Sequence, residues 1–214
     1  VQRIDVAPEP VRRTLLVYAR EGVWHIAVGA DHVLFLLCLL LPAVLVREDR
    51  RWAPVPRLRP AAAEVLRVVT AFTVAHSITL SLAATGQVEL PSRLVESAIA
   101  ASVLLAALDN LWPLWSGRRW LAAFGFGLVH GLGFASVLGD LGLPRGSLVA
   151  ALLGFNLGVE AGQLALVALF LPLAFAARGS FAYRRLALGA GSLGVAVVGS
   201  VWPLERGLDL RLAW

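Results

Sequence analysis

Apolar runs long enough to cross a bilayer, separated by short polar stretches, dominate the pattern along this chain. Six such runs occur, at 24–46, 62–86, 92–112, 120–139, 147–176 and 185–204. Each predicts a transmembrane helix. The expected fold is therefore all-α, a polytopic membrane bundle of six spans over residues 23–206 with a short tail at 207–214. Residues 1–22 differ in kind. Pro8 and Pro10 precede VRRTLLVYAREG, a pattern that suits a short amphipathic helix lying in the extracytoplasmic interface. Pro42, Pro113 and Pro172 fall near span ends, where a missing N–H is tolerated. Trp24, Trp112, Trp120 and Trp202 stand where interfacial anchors belong.

Composition removes the soluble alternatives. Hydrophobic residues make up 58% and charged residues 15%, against roughly 45–50% and about 25% in a soluble domain. Mean hydropathy is +0.77. The single cysteine, Cys38, excludes a disulfide scaffold. All 19 basic residues are arginine. They sit between the apolar runs rather than along one face, so they read as an orientation signal and no nucleic-acid partner is expected.

The loops after the first, third and fifth spans hold Arg47, Arg50, Arg51, Arg57, Arg59, Arg118, Arg119, Arg178, Arg184 and Arg185. The opposite loops hold Arg93 and Arg145. This bias puts the odd loops in the cytoplasm and both termini outside, with a bacterial inner membrane as the expected location. Arg3, Arg12, Arg13 and Arg20 then lie outside, against the rule, as residues of a translocated domain can. The sequence contains no methionine. Val1 is therefore not expected to be the translated start, and a signal peptide or extracytoplasmic domain is expected upstream.

Glycine spacing marks helix contacts. Gly127 and Gly131 form one G-x-x-x-G pair, and Gly154, Gly158 and Gly162 form two in series, a spacing that lets backbones approach closely in lipid. On the opposite stripe of the fifth span, Asn156, Glu160 and Gln163 are spaced by four and three. One face of that helix can pack while the other lines a polar site.

All four histidines, His25, His32, His76 and His130, lie inside expected spans, together with the carboxylates Asp31, Glu96 and Glu160. Ionisable groups inside a membrane are costly and are functional candidates by default. At 1.5 Å per residue, His32, His76, His130 and Glu160 lie about 12–20 Å below the outer ends of four spans, and Glu96 lies at about 6 Å. That is the arrangement of a buried cation site built by facing helices in the outer half of the bilayer.

Seven residues separate His25 from His32 in HIAVGADH, which leaves them on one helix face but about 10 Å apart in height. Unless Gly29 breaks the helix, His25 can only meet the ion on its way in, with His32 as the site ligand. Asp31 can ligate, or can hold an imidazole in its metal-binding tautomer. Thr73 and Ser77 lie near the face of His76. Glu96 and Asn110 share a face of the third span, suggesting a polar lining that reaches towards the cytoplasm, while Asp109 reads as an interfacial charge.

The linked motifs HIAVGADH, VLFLLCLLLP, FTVAHSITLSLA, FGLVHGLGFA and FNLGVEAGQ, covering most of residues 22–165, resemble the HupE/UreJ family of membrane proteins. The resemblance implies a nickel or cobalt permease. It also implies that His25, Asp31 and His32 match the family's histidine followed by an Asp-His pair. Ile26 stands where the hydrogenase-linked members carry proline, and VLFLL where they carry a methionine-containing stretch, so the chain reads as a divergent branch.

Three functions fit these residues. The first is a permease or uptake facilitator for a divalent transition metal, with His25, Asp31, His32, His76, His130 and Glu160 as ligands. Thr73, Ser77, Glu96, Asn110, Asn156 and Gln163 then form the polar lining. Imidazole and carboxylate suit nickel, cobalt, zinc or iron, and the lack of thioether argues against copper(I). An exit would run past Thr70, Asp109 and Asn110, because the inner halves of the first and fifth spans are apolar. The second is an intramembrane zinc hydrolase with Glu160 or Glu96 as base, although neither H-E-x-x-H nor G-x-S-x-G is present. The third is a structural or sensory metal-binding subunit.

Overall fold

The computed structural model describes residues 10–48, 51–112, 114–115, 117–134 and 145–208. Its helices are α1 (Val11–Val28), α2 (Ala30–Leu40), α3 (Leu58–Ala84), α4 (Ser92–Leu111), α5 (Arg119–Gly133), α6 (Arg145–Ala177) and α7 (Ser192–Leu208). A π-helical stretch, Ala182–Gly191, leads into α7. Among the described residues, four helical stretches are long and apolar enough to cross a membrane: Leu58–Ala84, Ser92–Leu111, Ser147–Ala177 and Ala182–Trp202. The bent pair formed by α1 and α2 makes a fifth if it counts as one span. The chain is thus an all-helical integral membrane protein, apart from one small hairpin.

Three expectations change. The first span is not one helix over 24–46. The chain bends by 71° at Gly29, and the helix before the bend reaches back to Val11. Residues 11–22 are thus continuous with the helix that carries His25. The inner end of the expected span is a 3-10 turn, Leu41–Val44, started by Pro42, and then a strand. That strand, β1 (Leu45–Glu48), pairs antiparallel with β2 (Arg51–Pro54) where a plain loop was expected. Arg178 fastens the hairpin to the end of α6 by donating from Nε to the Val55 carbonyl (2.9 Å). Pro172 sits inside α6, five residues before its end at Ala177. Pro113, residues 135–139 of the expected fourth span and residues 209–214 of the expected tail lie outside the described residues.

Glycine sets the helix pairing. Side chains built on Gly154 and Gly158 would run into the carbonyls of Leu15 and Ala19, and one on Gly22 into the backbone of Phe155 and Val159. The glycine stripe of α6 therefore meets the backbone of α1, and the polar stripe is left facing elsewhere. Gly127 and Gly131 bring α5 onto α3 in the same way, against the carbonyls of Phe72 and His76. Apolar clusters close the bundle on either side of the histidines. Leu36, Leu40, Val65, Val69, Val167 and Leu171 pack towards the hairpin end, while Ile26, Leu80, Leu152, Phe155 and Val159 pack at the other.

Candidate metal centre

The break at Gly29 builds the site. Gly29 has an ordinary φ of −71° with ψ of 96°, so its need for glycine is one of space. A side chain there would crowd the His25 carbonyl and the His32 ring. Turning the chain at this point cancels most of the helical rise between the two histidines. Their ring centroids lie 4.5 Å apart, edge to face. His25 is consequently not a ligand displaced along the approach, as an unbroken helix would make it. One nitrogen from each of His25, His32 and His76 lies within 4.8 Å of the others, so this buried group could hold a metal ion.

Hydrogen-bond accounting decides which nitrogens are bare. Asn156 donates from Nδ2 to the Leu152 carbonyl (2.8 Å), which turns Oδ1 towards His76. His76 Nδ1–H donates to that oxygen (3.2 Å), leaving a lone pair on Nε2. His32 Nδ1–H donates to Asp31 Oδ1 (3.1 Å), which also accepts from the His32 backbone N–H (2.9 Å). The lone pair of His32 is thus on Nε2, and Asp31 acts as the carboxylate that fixes an imidazole's tautomer. Ser102 gives its hydroxyl proton to the Ile99 carbonyl (2.6 Å) and accepts from His130 Nε2–H (2.8 Å). His130 Nδ1 then faces His32 Nε2 at 3.4 Å, lone pair to lone pair, an arrangement that a cation relieves. His25 Nε2 and His76 Nε2 are buried without a hydrogen-bond partner among the described residues. A buried polar atom left in that state costs roughly 1–3 kcal/mol.

Four phenylalanines box the rings. Phe134 and Phe155 stack on each other at 4.4 Å and flank His25 at 5.0 and 5.3 Å. Phe72 lies 5.3 Å from His130 and 6.0 Å from His76, and Phe35 lies 5.2 Å from His130. These rings give the histidine group an apolar wall. The sequence reading passed over them, although each stands within three residues of a motif histidine or of Asn156, except Phe134 and Phe72, which are four away.

The remaining candidates divide between two spaces. A cavity of about 170 Å³ is lined by His25, Asp31, His32, Glu96, His130 and Phe134 among others, which brings Glu96 to the histidines. Glu160 is elsewhere. With Thr70, Thr73, Ser77 and Asn156 it lines a groove of about 530 Å³ between α3 and α6. Gln163 is buried and accepts from Thr73 Oγ1 (2.9 Å).

Asn110 lines neither space. It donates to the Cys38 carbonyl (2.9 Å) and to Ser192 Oγ (3.0 Å), because a buried amide has to find partners. Asp109 is 5% exposed, so it is not a free interfacial charge. It accepts from the backbone N–H groups of Leu114 and Trp115 and from Arg119. Both residues of the expected exit are thus engaged by neighbouring segments.

The family described as HupE / UreJ protein matches residues 2–206, nearly the whole chain. The chain belongs to this family. No curated protein and no solved structure matches it.

Proposed function

We propose that this HupE/UreJ-family chain is a permease or uptake facilitator for a divalent transition metal of the nickel or cobalt type. The observation that carries this reading is the set of bare imidazole nitrogens, each turned inward by a partner on its far side: Asp31 for His32, Asn156 for His76 and Ser102 for His130. A packed structural core has no use for such an arrangement, since it leaves buried nitrogens unpaired. On this reading the arriving dication is drawn by Glu96 and Asp31 into the cavity, then exchanges water for imidazole against the phenylalanine walls. Asp31 supplies negative charge while it holds His32. An inside-negative potential favours inward movement by about 4.6 kcal/mol per 100 mV for a doubly charged ion.

The same reading takes α1 and α2 together as one broken span and α5 as part of a further crossing. Six spans then cross the membrane with both termini outside, as the arginine bias asks. Broken helices at a midplane site are the usual construction of ion carriers. The test is accumulation of nickel or cobalt in proteoliposomes. The wild-type protein is expected to load vesicles and His32→Ala is not. Tight binding without accumulation would overturn transport.

Glu96 supports a second reading, an intramembrane zinc hydrolase. It shares a cavity with three histidines, where a general base would act on a metal-bound water. Glu160, in the separate groove, is the weaker candidate for that base. Hydrolysis of a membrane substrate lost in Glu96→Gln, with no metal accumulation by the wild type, would favour it.

A further inference from the structure

His76 stands between two spaces. Asn156, which accepts its Nδ1–H, lines the groove between α3 and α6. A nitrogen of His76 lies within 4.8 Å of nitrogens of His25 and His32, which line the cavity. The ring itself is fully buried, so one imidazole separates a histidine-lined chamber from a groove that contains no histidine at all.

The groove has a chemistry of its own. Ser77 donates its hydroxyl proton to the Thr73 carbonyl (2.7 Å), and Thr73 shares its one hydroxyl proton between Gln163 Oε1 (2.9 Å) and the Val69 carbonyl (3.2 Å). Asn156 spends an amide proton on the Leu152 carbonyl (2.8 Å). With those protons turned back into the helices, the side chains offer oxygen lone pairs, and Glu160 adds a carboxylate. The pairs His76–Asn156 and Thr73–Gln163 set α3 and α6 antiparallel, which puts Glu160 between the levels of His76 and Thr73. From Ser81 to Thr70 the groove follows α3 for eleven residues, about 16 Å. Val74, Ile78, Leu153 and Leu157 form an exposed apolar rim, and the oxygens and the Glu160 carboxylate between them suit a hydrated or partly hydrated hard cation.

We infer that this groove is a second cation station, weaker than the histidine site and made of oxygen ligands around Glu160, which receives the dication after it passes His76. The inference rests on the transport reading, and it reroutes the ion sideways between α3 and α6, away from the packed residues Asp109 and Asn110.

The test counts metal equivalents in the full chain, purified in detergent, with Co²⁺ followed by visible absorption for the histidine site and Mn²⁺ counted by electron paramagnetic resonance for the oxygen station. Imidazole favours Co²⁺ over Mn²⁺, and carboxylate and hydroxyl oxygens accept Mn²⁺. The wild type is expected to hold one Co²⁺ tightly and one Mn²⁺ weakly. Glu160→Gln should lose the Mn²⁺ equivalent, keep the Co²⁺ spectrum and cut vesicle uptake at least tenfold. Glu160→Asp, which keeps the charge, should retain Mn²⁺ and serves as the folding control. His32→Ala should lose Co²⁺ and keep Mn²⁺.

Unchanged Mn²⁺ binding and uptake in Glu160→Gln would overturn the station. So would loss of the Co²⁺ spectrum in that variant alone, because Glu160 would then belong to the histidine site. A wild type that binds Mn²⁺ through Glu160 but no Co²⁺ would instead overturn the histidine site and leave the groove standing.

Discussion

α4 carries two groups of polar side chains at different levels, and they follow opposite rules. Towards its end, Asp109 and Asn110 join Arg119, Ser192, the Cys38 carbonyl and two backbone N–H groups, so that the carboxylate and the amide are fully engaged. Nearer its start, buried Ser102 and exposed Glu96 belong to the histidine centre, where His32, His76 and His130 each have one nitrogen paired and the other turned inward and bare. Ser102, His76 and His130 are as buried as Asp109 and Asn110, so burial does not distinguish the two groups. What distinguishes them is whether each atom is satisfied. The clamp joins helices, while the histidine centre keeps a place for a cation at a standing cost in stability.

The largest effect expected from this contrast lies in the clamp. Asp109→Ala removes the carboxylate from the half-buried Arg119, which keeps Asn110, and from two backbone N–H groups, and should cost about 3 kcal/mol of stability. Thermal unfolding in detergent should show a much lower midpoint, while protein that remains folded still binds cobalt. A variant with wild-type stability would remove the distinction between the two groups.

His25→Phe tests the other side and should do the reverse. The new ring keeps the contacts of His25 with Phe134 and Phe155 and removes an unpaired buried nitrogen. Stability should hold or rise, while cobalt affinity falls by about 100-fold, equivalent to about 2.8 kcal/mol. Calorimetric titration and thermal unfolding of the same sample measure both, and a loss of stability with unchanged affinity would reverse the assignment.

Asp31→Asn should act more gently. The amide can still sit beside His32 Nδ1, but it no longer supplies charge or fixes which nitrogen carries the proton. A loss of about 10–100-fold in metal affinity is expected, typical of a group that orients a ligand. The smallest effect is that of pH. Metal takes the neutral imidazole, so protons compete with it for the same nitrogens. Affinity should therefore weaken as pH falls, measured by equilibrium binding. Affinity that strengthens with falling pH would exclude imidazole as the ligand.

The arrangement was legible in the sequence where a periodicity or a depth carried it. Helix rise alone brings His32, His76 and His130 to one level, and the i, i+4 glycines of α6 announce a tight contact that α1 supplies. Asp31 was readable as a holder of an imidazole because it adjoins His32. The bend at Gly29 was readable only as an alternative to a straight helix. One glycine within an apolar run is tolerated in a straight helix, and only packing of α1 along α6 decides that the chain turns. The consequence is large, since it carries His25 from the approach to the site.

Glu160 was drawn towards the histidines because a helical stripe gives direction only coarsely. The position of α3 across from it decides which cavity the carboxylate meets. Asn110 looked like pore lining because a polar residue on a helix face does not reveal whether its partner is an ion or, as here, the carbonyl of Cys38.

X-ray absorption at the nickel or cobalt edge of the loaded protein bears most directly on the central claim that bare imidazoles hold the ion. The account predicts at least three imidazole nitrogens at about 2.0–2.1 Å, with the outer-ring scattering that identifies histidine. A shell made of oxygen alone, unchanged between wild type and His32→Ala, would contradict it.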